Sequence, residues 1–213
     1  MSSRCFIGLD LGQGAEPTAL AVVQRPAPYV AGTPRPPYAL RHLKRFAPGT
    51  PYAEVVAFLI DLLHAPNVPG AAVGVDQTGV GRAVLELIND GLRDRVTCKV
   101  FAVTLTNGVE AATGELGGWY IPKKELVGAL LVLLQTRRLQ MPRELPETST
   151  LVRELQNFRM RPALAGQSTE LAWREREHDD LVLALGLAAW LGEMALAGEE
   201  RHEEPTTTVL WVP

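Results

Sequence analysis

Four acidic residues occupy positions where an ionised carboxylate is costly. Asp10 closes the apolar run Cys5-Phe6-Ile7-Gly8-Leu9, and Asp76 closes Ala71-Ala72-Val73-Gly74-Val75. Asp179 and Asp180 open the most hydrophobic stretch of the chain. Charge in such surroundings needs a partner or a metal ion. Carboxylates that converge raise one another's proton affinity. A divalent cation relieves that conflict, and hard oxygen donors suit Mg2+ or Mn2+. Two such ions about 4 Å apart would activate a water and stabilise the leaving oxygen of a phosphodiester. Each acid also has a plainer explanation. Asp179 and Asp180 can cap a helix and complement its dipole. Asp10 can bond the following glycine turn, and Asp76 can belong to a strand-to-helix turn. Acids recurring at three strand and helix ends favour a shared site.

The elements that must position them follow from periodicity. Residues 5–11, 18–23 and 38–46 read as three strands, with a proline-rich loop over 26–37 between the last two. Thr50 is the expected N-cap, and Pro51 the first residue, of a helix carrying Val55, Val56, Leu59, Ile60 and Leu63 on one face. A fourth strand ends at Asp76, and a helix with Val80, Val84, Leu87 and Ile88 on one face follows. Residues 97–104 form a fifth strand, and 105–120, with four glycines, a mobile loop. Further helices are expected from Pro122 to about Arg138, over 148–158 and over 179–196, with two short strands near Gly166. Sequential strands pair antiparallel, and strands separated by helices run parallel. The fold class is therefore α/β: a mixed five-stranded sheet, three antiparallel then parallel strands, with helices on both faces. The first and fourth strands become neighbours, which brings Asp10 and Asp76 together. Residues 1–198 read as one domain and 199–213 as a flexible acidic tail.

Composition permits a nucleic-acid partner without demanding one. The net charge is −3, yet residues 177–213 hold eight acids against Arg201, while 137–176 carry eight arginines against five glutamates. Phosphate binding depends on local basic surface. No apolar run reaches the roughly 18 residues of a membrane span. Cys5 and Cys98 form no metal or disulfide framework, and no secretory signal is visible, so the chain reads as cytoplasmic, in a bacterium or a phage-infected host.

The strings FIGLDLGQGAEPTALAVV (6–23), VGVDQTGVG (73–81) and HDDLVLALGLAAW (178–190) resemble the nuclease domain of phage large terminase subunits. YIPKKELVGALLVLLQ and LVRELQNFRM are similar to the same family, so the resemblance spans most of residues 5–196. It implies a ribonuclease H-like fold related to RuvC-type resolvases, and two-metal DNA cleavage using two Mg2+ or Mn2+ ions. By motif, Asp10 would bridge both ions, Asp76 would be the fourth-strand ligand, Asp180 the helix ligand, and Asp179 a weaker or outer ligand. His178 would orient a water or phosphate.

The basic residues suggest how DNA would be held. Lys123 and Lys124 fall in the first turn of a helix, where they oppose its dipole unless a phosphate binds there. Arg159 and Arg161, like Arg174 and Arg176, lie two apart on one face of extended chain. No base-reading helix is evident, which implies little sequence specificity. The chain has no G-x-x-x-x-G-K-[ST] loop. The chain accordingly reads as a separate nuclease polypeptide, a remnant of a prophage gene, or a part that works with an ATPase motor or portal component on another chain. Rival readings are an actin-like or sugar-kinase ATPase, for which 213 residues are too few, a Holliday junction resolvase, and a catalytically silent nucleic-acid-binding module.

Overall fold

The computed structural model describes residues 3–30, 32–66, 68, 70–79, 82–92, 98–108, 110–114, 118–158 and 179–203. The elements in chain order are β1 (Ser3–Asp10), β2 (Ala19–Pro26), β3 (Tyr38–Arg45), α1 (Tyr52–His64), β4 (Ala72–Asp76), α2 (Arg82–Leu92), β5 (Lys99–Thr106), β6 (Ala112–Thr113), β7 (Trp119–Pro122), α3 (Lys123–Gln135), β8 (Leu139–Gln140), α4 (Thr148–Asn157) and α5 (Asp180–Glu203). All the described strands share one sheet, in the order β6-β7-β5-β4-β1-β2-β3-β8. β1, β2 and β3 pair antiparallel, whereas β4 runs parallel to β1 and β5 parallel to β4. The centre is the expected five-stranded mixed sheet, and β6, β7 and β8 extend its edges.

β1 is nearly continuous in apolar residues because both its faces are covered. Ile7 and Leu9 join Val73, Val75 and Leu20 beneath α1 and α2. Phe6 faces the opposite way, with Ala19, Ala21 and Val23, onto α5. The alternation places Gly8 and Asp10 on this second face as well. α5 is apolar all round because it lies over β1 and β2 with α3 and α4 beside it. Its stretch Asp180–Glu200, at mean hydropathy 1.8, is long and apolar enough to cross a membrane, contrary to the sequence expectation. About two thirds of it is packed inside the domain, as in the core helix of a folded protein.

Several boundaries differ from those read in the sequence. Pro51, not Thr50, is the N-cap of α1; the Thr50 hydroxyl instead donates to Ala47 O at 2.7 Å. On α2 the buried residues are Val84, Leu85, Ile88 and Leu92, while Leu87 is 47% exposed. At about 100° per residue the first four share one arc, and Leu87 falls roughly 60° outside it. The glycine-rich 105–120 segment is not all loop. It holds β6 and the start of β7, fastened where Trp119 pairs with Val103 and meets Trp190 edge-on at 5.5 Å between ring centres. β8, unforeseen in the sequence, pairs with β3 through Tyr38 and Ala39. α5 runs past residue 198, because Glu199 accepts from Arg4 and Arg25, and Glu200 from Arg35. The strand candidates near Gly166 lie outside the described residues.

Candidate active site

One row of residues crosses the sheet at the end where the strand acids lie. Arg45 on β3 is opposite Ala19 on β2, Ala19 opposite Asp10 on β1, Asp10 opposite Asp76 on β4, and Asp76 opposite Val103 on β5. Register partners of neighbouring strands project to the same face, so Asp10 and Asp76 stand side by side on the α5 face. The pairing of β1 with β4 expected from the sequence is what brings them together.

The helix that completes the site can approach because two glycines lie beneath it. Gly8 and Gly74 are register partners two residues before the acids. A Cβ on Gly8 would lie 2.0 Å from Ala184 O, and one on Gly74 would lie 2.8 Å from Leu191 Cδ1. Strand glycines of this kind mark close approach of another backbone. With α5 seated there, Asp179 and Asp180 arrive over the ends of β1 and β4. Asp179 caps the helix through its carbonyl, which accepts from Leu183 N at 2.9 Å. Acids at this end also complement the helix dipole.

Burial and mutual repulsion set the electrostatics. Asp10 is held well above the usual carboxylate range, first by burial and then by the charges of Asp76, Asp179 and Asp180, with Lys123 opposing. Asp76, itself buried, is raised by burial and partly offset by Thr78 and Lys123. The Thr78 backbone N–H and hydroxyl both donate to Asp76 Oδ1, at 2.9 and 2.5 Å. Leu105 N donates to the same hydroxyl at 2.9 Å, locking the turn to β5. Asp179 is raised by burial, lowered by Lys123, and raised again by Asp180 and Glu16. Asp180 is bound differently. Both its oxygens accept from Arg45, Oδ2 from Nε at 2.7 Å and Oδ1 from Nη2 at 3.2 Å. Arg45 also bonds Glu154 of α4.

Of the basic residues singled out in the sequence, Lys123 and Lys124 are the first two residues of α3. Lys123 lies within electrostatic reach of Asp10, Asp76 and Asp179, while Lys124 is exposed. Arg159, Arg161, Arg174 and His178 lie outside the described residues. Arg45, Glu154 and Thr78 escaped notice in the sequence. Only Thr78 left a signal, two residues after an Asp at a strand end, the spacing of an Asx turn. An open groove of about 260 Å³ beside the row is lined by Gly12, Glu16, Thr18, Thr50 and Tyr52, among others.

The donor set is all hard oxygen, and a divalent cation would remove the repulsion that lifts Asp10, so these residues fit Mg2+ or Mn2+. Among the described residues, no three acidic, histidine or cysteine side chains are grouped so as to hold a metal ion between them. Sites for such ions commonly use one or two carboxylates and leave the remaining positions to water and substrate phosphate.

No protein-family model and no curated protein matches this chain. Solved structures do. The manganese-soaked terminase nuclease domain of human cytomegalovirus superposes with a TM-score of 0.56 at 13% identity, over 91% of this chain and 86% of that one. A second structure of that domain gives 0.56 at 12% identity, over 92% and 86%. The large terminase nuclease of thermophilic phage G20c gives 0.51 at 22% identity, over 87% and 81%. The chain has the ribonuclease H-like fold of terminase nuclease domains, as its sequence resemblance implied.

Proposed function

We propose that this chain is a divalent-metal-dependent endonuclease that hydrolyses phosphodiester bonds in DNA by a two-metal mechanism. The observation that carries this reading is the pairing of Asp10 with Asp76 at the ends of adjacent parallel strands, beneath an acidic helix start, with both proton affinities raised. Its fold neighbours are nucleases, one of them soaked with manganese, which supports the same chemistry.

Asp10 and Asp76 are the ligands from the sheet, and the Asp179–Asp180 pair supplies the helix contribution. Bound there, Mg2+ or Mn2+ would supply the Lewis acidity that makes water a nucleophile and offsets charge on the leaving oxygen. Thr78 holds the Asp76 carboxylate in one orientation, so a ligand position is preset by the fold. Lys123 offsets part of the acidic charge and stands where an incoming phosphate would meet a cation. Lys124, with Arg159, Arg161 and Arg174, would hold the DNA backbone. A motor or portal component on another chain is one candidate partner, beside a standalone role.

The test is nicking of supercoiled plasmid with Mn2+, Mg2+ or EDTA, alongside Asp10→Asn. Metal-dependent cutting that disappears in the variant is the expected result. Absence of cutting on supercoiled, linear and branched DNA with both metals would overturn the reading, and a strict preference for branched DNA would replace it with a resolvase.

A further inference from the structure

We propose that Gln13 is a positioning residue of this site: its side-chain amide clasps the turn after β4 to the turn after β1, and so holds the Asp76 carboxylate in place beside Asp10. This rests on the metal-dependent reading above and adds to it a residue that acts through Thr78.

Asp10 and Asp76 are the last register pair of the β1–β4 ladder, and each is the final residue of its strand. The chain that follows each acid is therefore no longer held by that ladder. Gln13 and Thr78 meet across the seam, where Gln13 Nε2 donates to Thr78 O at 3.0 Å. The same Thr78 presents its N–H and hydroxyl to Asp76 Oδ1, and its hydroxyl accepts from Leu105 N. Thr78 is thus fixed through its carbonyl from the β1 side and through its hydroxyl from β5. Its two donors converge on one oxygen of the acid.

Both ends of the clasp are built for it. Glu16 N donates to Gln13 O at 2.9 Å and Gly12 N to Thr18 Oγ1 at 3.0 Å, which closes the turn after β1 on itself. From the other side, the Tyr52 hydroxyl of α1 donates to Gly12 O at 2.8 Å. A side chain leaving so constrained a turn has a fixed starting point. At the receiving end, Gly79 has a φ of +77°, and a Cβ there would lie 2.0 Å from Gln13 Nε2. The left-handed backbone and the space taken by the amide both call for glycine. One hydrogen bond adds only modestly to stability. Its larger effect is on the orientation of the buried carboxylate, as with other outer partners of metal ligands.

The experiment compares the parent with Gln13→Ala, Gln13→Met, Gly79→Ala and Gln13→Ala/Gly79→Ala. Two quantities are measured, with plasmid nicking in parallel. One is Mn2+ affinity, from the spin-resonance signal of free Mn2+. The other is hydrogen exchange of the Thr78 and Leu105 backbone N–H groups in EDTA, by nuclear magnetic resonance. Methionine keeps the length of Gln13 without its donor, and alanine at position 79 displaces the amide while Gln13 stays. Gln13 is exposed, so its variants are expected to fold as the parent does. Both Gln13 variants should exchange the two N–H groups about 5-fold faster, the factor one net hydrogen bond is worth, while those within β1 keep the parent rate. Mn2+ affinity should fall about 10-fold, the lower end for outer partners of a metal ligand. Gly79→Ala should do the same. The double variant should bind Mn2+ no more weakly than Gly79→Ala, because both changes remove one contact. The proposal is overturned if Gln13→Met keeps the parent's exchange and affinity. It is also overturned if exchange quickens with Mn2+ affinity unchanged, or if the two losses add in the double variant. A parent that binds Mn2+ but cuts no DNA brings down the nuclease reading and leaves the clasp standing. A parent that binds no Mn2+ brings down the metal-dependent reading and the positioning role with it.

Discussion

Replacing Gly8 with alanine tests the seating of α5 most directly. The added Cβ would meet Ala184 O at 2.0 Å, against a comfortable separation of about 3.5 Å. The helix, the strand or both must therefore give by roughly 1.5 Å. The obstacle is backbone on both sides, so no rotamer change relieves it. Overpacking of this kind costs about 1–3 kcal/mol, or roughly 2–12 °C in Tm for a chain of this length. The catalytic loss should be larger than the stability loss. α5 carries Asp179 and Asp180, and a misplacement of about 1 Å costs on the order of 100-fold in rate. Gly74→Ala is the graded control, because its Cβ meets the ends of leucine side chains, 2.8 Å from Leu191 Cδ1 and 3.0 Å from Leu187 Cγ. Thermal melts and plasmid nicking on parent, Gly8→Ala and Gly74→Ala would measure both effects. If Gly8→Ala melts and cuts like the parent, close seating of α5 does not position the carboxylates. If Gly74→Ala is the more damaging, the distinction between backbone and side-chain obstacles fails.

Two further outcomes follow from the charges. Asp10 has its folded pKa raised, so the stability tied to its protonated form is present below the unfolded value of about 3.9 and is lost as pH rises through the folded pKa. Without metal, Asp10→Asn should therefore melt higher than the parent at neutral pH and lose that advantage near pH 4, measured by thermal melts in EDTA; equal melting at pH 7 would contradict the repulsion. Lys123 lowers the proton affinity of Asp10, Asp76 and Asp179, so Lys123→Met should move the acidic limb of the pH–rate profile upward, and an unmoved limb would place its charge elsewhere.

The sequence revealed the acids of the sheet better than the setting of the helix acids, for a physical reason. Asp10 and Asp76 end strands whose apolar neighbours announce burial, and strand order alone predicted their meeting. Gly8 and Gly74 were equally visible as strand glycines, but what they accommodate depends on how a distant helix crosses the sheet. Asp179 and Asp180 were recognised as a pair, yet the contact that holds Asp180 comes from Arg45, 135 residues away. An arginine ending an amphipathic strand gives no local sign of its partner. β6, β7 and β8 were missed because segments of two to four residues carry too little periodicity to register. Leu87 was misplaced because a spacing of three from Val84 fits a helical face only when that face is wide.

The lateral margins of the sheet carry a consequence for association. Among the described residues, one margin is the two-residue β6, and the other is β8, which covers only the Tyr38–Ala39 end of β3. The rest of β3 presents Arg41 and Lys44, with Lys44 lying over the rings of Phe46 and Phe58. Short terminal strands and cationic flanks discourage strand addition from a second chain. Encounters with other macromolecules are thereby directed to the helical faces and to the open end of the sheet where the acids stand, rather than to an unsealed β-edge prone to aggregation.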